Sequence, residues 1–259
     1  MMKLNMTMVG VALLGLALQV QADPLPAGWT TNGYAGSSTT ADGDVSLAPG
    51  FSSYVWLSTY GAPQGGGAIP SVGGTNGTTV QSASFTVASG DKLNFYFNYI
   101  TSDGAGYSDY SWAGLYDASD ALVTLLFTAR TTPSGDTVPG FGLPGLGAGV
   151  TLNPVTTPII GGSPFFSPLG EYSGNCYNNG CGSTGWIQMN YNILDDGVYS
   201  LKFGVTNWGD TIFDSAFAVA GVAINDVAID DPDTVPEPAT LALTGLALAG
   251  LAVARRRRA

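Results

Sequence analysis

The strongest constraint on what this chain can fold into is a single run, Lys92 to Ile100. Leu93, Phe95, Phe97 and Tyr99 fall on one face of an extended segment, and Lys92, Asn94, Tyr96 and Asn98 on the other. A period of two with large apolar rings on one side specifies a half-buried strand. A one-residue slip would turn all four apolar residues to solvent, so the register is fixed as well. Tyr199, Leu201, Phe203 and Val205 repeat the pattern, with Ser200, Lys202 and Thr206 between and after them. Further strands are expected at Ser53–Thr59, Gln81–Val87, Trp112–Tyr116, Ala121–Ala129 and Trp186–Tyr191, with a long one from Ser215 to Ile229. Gly90-Asp91, Asp196-Gly197 and Asn207-Trp208-Gly209-Asp210 punctuate them as turns. No stretch between residues 23 and 234 has the spacing of an amphipathic helix. About eight to ten strands without intervening helices predict an all-β, antiparallel β-sandwich. The preferred form is jelly-roll-like, and a closed barrel is the alternative.

Two loops interrupt this regularity. Thr131–Tyr172 contains seven of the 15 Pro and nine of the 37 Gly, which bars it from a central strand. Phe141, Leu143, Leu146, Phe165 and Phe166 would let it cover one face of the sandwich; an insertion over a sheet edge is the other reading. Gly61–Gly77 has the composition of a flexible surface loop.

The ends differ in kind from the middle. Residues 1–22 place one lysine, Lys3, before the apolar run Val9–Leu18, followed by Val20-Gln21-Ala22. That is the pattern of a secretory signal peptide cut after Ala22. At the other end, residues 231–238 form a linker ending in Pro236-Glu237-Pro238. An uncharged stretch, Ala239–Ala254, and the cluster Arg255, Arg256, Arg257 and Arg258 then occupy residues 239–259. Sixteen helical residues span about 24 Å, slightly less than a bilayer core, and snorkelling arginines extend the reach. The arginines hold the inner side of such a transmembrane helix. Between these ends lies an ectodomain, residues 23–230. From Asp23 to Asp233 three basic residues face eighteen acidic ones, a balance of −15 against −11 for the whole chain. A body this acidic repels nucleic acid and anionic membrane surfaces.

The Pro-Glu-Pro triplet, the apolar helix and the terminal arginine cluster resemble the PEP-CTERM sorting signal. With a signal peptide in front, the chain resembles a substrate of the exosortase system. The resemblance implies a Gram-negative host that makes exopolysaccharide, a transient inner-membrane anchor, and recognition by an exosortase near Pro236, Glu237 and Pro238. It also implies delivery to the cell surface or extracellular matrix. Ser84–Val87, Gly90–Leu93, Phe95–Tyr99 and Asp214–Val219 resemble the β-sandwich ectodomains of many PEP-CTERM proteins, which implies a fold and a location but no activity.

The chemistry available is narrow. With no His, Ser-His-Asp and Cys-His nucleophiles are excluded, as are the usual histidine zinc sites. Cys176 and Cys181, the only cysteines, are expected to form a disulfide in an exported protein. Oxygen ligands favour Ca2+ if any metal binds; Asp103, Asp109 and Asp117 are the nearest thing to a ligand set, with Asp42-Gly43-Asp44 and Asp230-Asp231-Pro232-Asp233 as other clusters. The alternative is that these Asp and Gly residues make ordinary turns. Asp103, Tyr107, Asp109, Tyr110 and Trp112 mix carboxylates with aromatics, as a sugar site would; Trp208 and Asn207 form a second such group. No catalytic residues are expected. The function expected is a structural or carbohydrate-binding component of the exopolysaccharide or biofilm matrix; the alternative is a secreted Asp-dependent hydrolase acting on polysaccharide.

Overall fold

The structure is a computed structural model that describes residues 23–107 and 109–229; the signal segment, the linker and the sorting tail lie outside the described residues, as does the Asp230–Asp233 cluster. Two antiparallel sheets pack face to face. One runs β1 (Thr30–Asn32), β4 (Gly77–Gln81), β13 (Gly197–Thr206), β7 (Tyr110–Asp117) and β8 (Leu122–Arg130), with β5 (Phe85–Val87) also on β13. The other runs β10 (Ile160–Gly161), β11 (Gly182–Ser183), β6 (Lys92–Thr101), β14 (Ser215–Ile224), β3 (Tyr54–Ser58) and β2 (Tyr34–Ser38). β12 (Ile187–Asn192) also pairs with β6, and β9 (Thr151–Asn153) with β12. Six of the fifteen strands among the described residues have only two or three residues, and these short ones exceed what alternation alone shows.

The alternating rings make the core between the sheets. Leu93, Phe95, Phe97 and Tyr99 of β6 are fully buried against Leu201, Phe203 and Val205 of β13, Phe127 of β8 and Phe217 of β14. Phe97 and Phe127 stack at 4.0 Å, and Phe95 meets Phe203 edge-on at 5.4 Å. Burial of each such ring contributes roughly 2–3 kcal/mol.

Both sheets are also covered on their outer faces. Along β14 the small residues Ala216, Ala218 and Ala220 face away from the core, against Val45, Ala48, Phe166 and Leu169. On the opposite sheet, Ile69 of the Gly61–Gly77 loop packs on Tyr110, Trp112 and Tyr116. This loop differs from the flexible loop expected. The Trp112 indole donates to the Gly67 carbonyl at 2.7 Å, and the Tyr110 hydroxyl accepts from the Ile69 amide and donates to the Gly73 carbonyl. Its glycines allow close packing: a Cβ on Gly67 would sit 1.9 Å from the Val205 carbonyl oxygen.

Two expected strands are divided. Gln81–Val87 breaks between β4 and β5, where the Ser82 hydroxyl accepts the Leu201 amide in place of a backbone carbonyl. Ser215–Ile229 turns at Asn225 and Asp226, both at positive φ, and returns as β15 (Val227–Ala228). In the Gly/Pro-rich segment, β9 and β10 sit at sheet margins and Ser167–Tyr172 forms a 3-10 helix. Phe166 is the buried anchor there; Phe141, Leu146 and Phe165 are exposed, and Leu143 is partly buried. Asp42 and Asp44 hold this segment down, accepting from the Ser167 and Phe165 amides.

Candidate functional site

Of the expected ligand residues, Asp103, Tyr107, Asp109 and Tyr110 lie at one end of the sandwich, around the turn from β6 to β7. The turn from β6 to β7 carries Asp103 and Asp109, both buried, and Tyr107, which is 44% exposed. Ser108, in the same turn, is outside the described residues. Tyr110 and Trp112 lie beneath the Gly61–Gly77 loop, so they face packed protein and offer nothing to a sugar. Asp117 sits at the far end of β7, where its carboxylate caps a turn by accepting from Ser119 and Ala121. The distance along the strand, about 25 Å, keeps it apart from the other two. Among the described residues no three acidic or sulfur side chains gather as metal ligands would.

The buried carboxyls organise loops. Asp109 accepts from the Trp208 amide at 2.8 Å and from the Ser215 hydroxyl at 2.6 Å. Asp214 accepts from Thr59 Oγ1 at 2.7 Å. Asp103 accepts from the Gly104 amide at 2.7 Å, while its Oδ2 is buried without a partner. Burial pushes Asp103 up to about 7, opposed by the Gly104 hydrogen bond and helped by the charge of Asp210. Burial raises Asp214 to about 6 and, with the charge of Asp103, holds Asp109 well above the ordinary carboxylate range. Arg130 closes the cluster. It is buried, with its guanidinium carbon 4.7 Å from the Trp208 ring centre and 5.2 Å from that of Tyr110. Aromatic faces of this kind stabilise a desolvated cation. Asn207, paired with Trp208 in sequence, is fully buried and bonded to Asn76.

Outside this cluster lies an aromatic strip in which Tyr107 and Tyr177 are exposed and Phe213 and Tyr172 half-buried. Tyr107 meets Tyr177 at 5.6 Å between ring centres, Tyr177 meets Phe213 at 5.1 Å, and Phe213 meets Tyr172 at 4.8 Å. Tyr177 stands in the loop closed by the Cys176–Cys181 disulfide, as the two cysteines predict. Its amide donates to the Ser102 carbonyl at 2.9 Å, and the Ala105 amide donates to the Asn179 carbonyl at 2.8 Å, so the two loops are pinned together. Only glycine fits at 104, since a Cβ would lie 2.1 Å from the Tyr177 carbonyl oxygen. Phe213 has φ of 57°, a left-handed conformation costly for a side chain of its size, and its ring bridges Tyr177 and Tyr172 there. Of these four rings the sequence singles out Tyr107. The usable signal for Tyr177 was its place between two cysteines; nothing local marks Tyr172 or Phe213.

Solved structures similar to this chain include adhesin domains of a gingipain and a domain of a phage tailspike. The K1 cleaved adhesin domain of Lys-gingipain from Porphyromonas gingivalis W83 is 14% identical, with a TM-score of 0.37, covering 75% of this chain and 90% of that one. The K3 domain of the same protein is 15% identical, TM-score 0.35, over 77% and 92%. The enzymatically active domain of Bacteriophage CBA120 tailspike protein 4 is 12% identical, TM-score 0.32, over 76% of this chain and 19% of that one. No curated protein matches the chain. Residues 234–258 match the PEP-CTERM protein-sorting motif, so this is an exported protein that carries that sorting signal behind a β-rich body.

Proposed function

We propose that the protein is a cell-surface or extracellular-matrix component of a Gram-negative bacterium, released by exosortase and held among exopolysaccharide by carbohydrate binding. The observation that carries this reading is the sorting motif at residues 234–258, which supports export of the folded body. The strip of Tyr107, Tyr177, Phe213 and Tyr172, exposed at Tyr107 and Tyr177, supports binding, because saccharide rings expose apolar C–H faces that pack on aromatic rings. We take the sandwich to be jelly-roll-like, since the chain crosses between the sheets from β3 to β4, β5 to β6, β6 to β7 and β13 to β14.

The contrary reading, an Asp-dependent polysaccharide hydrolase, draws on Asp103, whose raised pKa suits a general acid. Asp103 is 2% exposed and Asp109 is fully buried, and a glycosidic oxygen must come within hydrogen-bond reach of its acid. Binding therefore suits this end better than catalysis. The test is cell fractionation with intact-mass analysis. A surface or matrix species lacking residues 1–22 and the tail beyond the Pro-Glu-Pro triplet is expected. A surface chain that retains its arginine tail would refute the sorting step.

A further inference from the structure

The strip does not end at Tyr172. That residue closes the 3-10 helix Ser167–Tyr172, and two positions earlier Gly170 lies under the ring of Tyr60. Gly170 has φ of 58°, and a Cβ there would come within 2.3 Å of the Tyr60 ring, so glycine lets this ring rest on the helix. Tyr60, 39% exposed, meets Tyr34 at 5.9 Å; Tyr34, 41% exposed, stands edge-on to the buried Trp56 at 5.0 Å. Tyr34 in turn forms one wall of a groove of about 300 Å³ whose other walls include Ser38, Thr39, Asp42 and Ser167. Ser167 and Pro168 of the same helix line this groove, and Tyr172 at its other end joins the strip.

We infer that Tyr34, Tyr60, Tyr172, Phe213, Tyr177 and Tyr107 form one continuous track for an internal stretch of a neutral polysaccharide. The inference rests on the carbohydrate reading above and names its ligand. A terminal monosaccharide needs one ring and one pocket, whereas several exposed and half-buried rings in succession match a chain of repeating units. Hydroxyl and carboxylate groups at the groove end supply the hydrogen bonds that orient sugar hydroxyls. Neutrality follows from charge. Among the described residues the cations are Lys92, Arg130 and Lys202. Arg130 is buried, Lys202 is paired with Asp120, and Lys92 lies at the opposite end of β6 from the Asp103 turn. Asp42 and Glu171 lie along the track itself, so a uronate or sulfated chain would meet like charge.

The test titrates the full chain, in a detergent without a sugar headgroup, with cello-, manno- and xylo-disaccharides and hexasaccharides, and with oligogalacturonate as the acidic comparison. In at least one neutral series the hexasaccharide should bind about tenfold more tightly than the disaccharide, and Tyr34→Ala and Tyr177→Ala should each weaken hexasaccharide binding roughly tenfold. Tyr60→Ala reads the groove half independently if Tyr34→Ala disturbs the near-UV spectrum of the fold. Equal affinity for both lengths, or full hexasaccharide affinity in the groove-side variants, would overturn the track and leave the strip as the binding site. Preference for oligogalacturonate would overturn neutrality. No binding in any neutral series would overturn both the track and the carbohydrate reading.

Discussion

Asp103 holds a carboxyl in a place that water does not reach, with one oxygen bonded to Gly104 and the other without a partner. Its proton affinity therefore differs between the folded and unfolded chains. In the unfolded chain it ionises near the ordinary value of 3.8; in the fold burial raises it to about 7, and Asp214 likewise rises to about 6. Between those values the folded state holds protons that the unfolded state has released. Stability is thus highest in mild acid and falls as pH rises through the folded pKa values. Asp91 and Asp117 act in the opposite sense: their hydrogen bonds to Ala88 and Ser119 lower them, so their contribution is lost on further acidification. The melting temperature should be higher at about pH 5 than at about pH 8. Asp103→Asn keeps the Gly104 hydrogen bond and cannot ionise, so it should flatten the alkaline side of that profile. An unchanged profile in this variant would mean that Asp103 is not the group responsible. None of this was visible in the residue run itself, where Asp103 and Asp109 have the composition of a solvated turn.

At the level of elements, long strands were legible wherever alternation reached the core. β6 and β13 place their apolar residues inward as their spacing requires. β14 was legible as apolar but not as two-sided, because its small outer residues are explained only by the segments that lie on them. Its bulge is equally non-local. Gly221 stands where a Cβ would meet the Phe51 ring at 2.2 Å, and the register shifts between Ala220 and Ala223. The Cys176–Cys181 loop shows a local signal with a non-local consequence. A loop this short constrains the unfolded chain by only about 2 kcal/mol. Its larger effect is to present Tyr177 between Tyr107 and Phe213. The pair Cys176→Ser with Cys181→Ser should therefore lower unfolding stability by roughly 2 kcal/mol in denaturant titration. It should also weaken neutral-oligosaccharide binding by more than stability alone explains, since the loop loosens while the core stays folded. Binding equal to that of the parent chain would show that the loop needs no covalent closure.

At the scale of the whole molecule, the described body completes both sheets before the sorting motif begins. β15 ends at Ala228, and the motif starts at residue 234. The two parts were separable in sequence for a physical reason: targeting depends on short linear features, whereas the strip depends on loops brought together from residues 107, 172, 177 and 213. Charge divides along the same line. Five of the eight basic residues lie in the two ends, so trimming both leaves a body of three basic residues against a large acidic excess, soluble through self-repulsion between molecules. Deletion of residues 235–259 removes no described strand, no core residue and no member of the track. The truncated chain should keep the near-UV spectrum and the melting temperature of the parent body. On the function proposed above, it should still be exported, but lose the cell surface and accumulate in periplasmic or culture-fluid fractions. Unchanged surface localisation after this deletion would place the address in the folded body. Glycan binding by the track would then be the first determinant to test for retention, by combining the deletion with Tyr34→Ala and Tyr177→Ala.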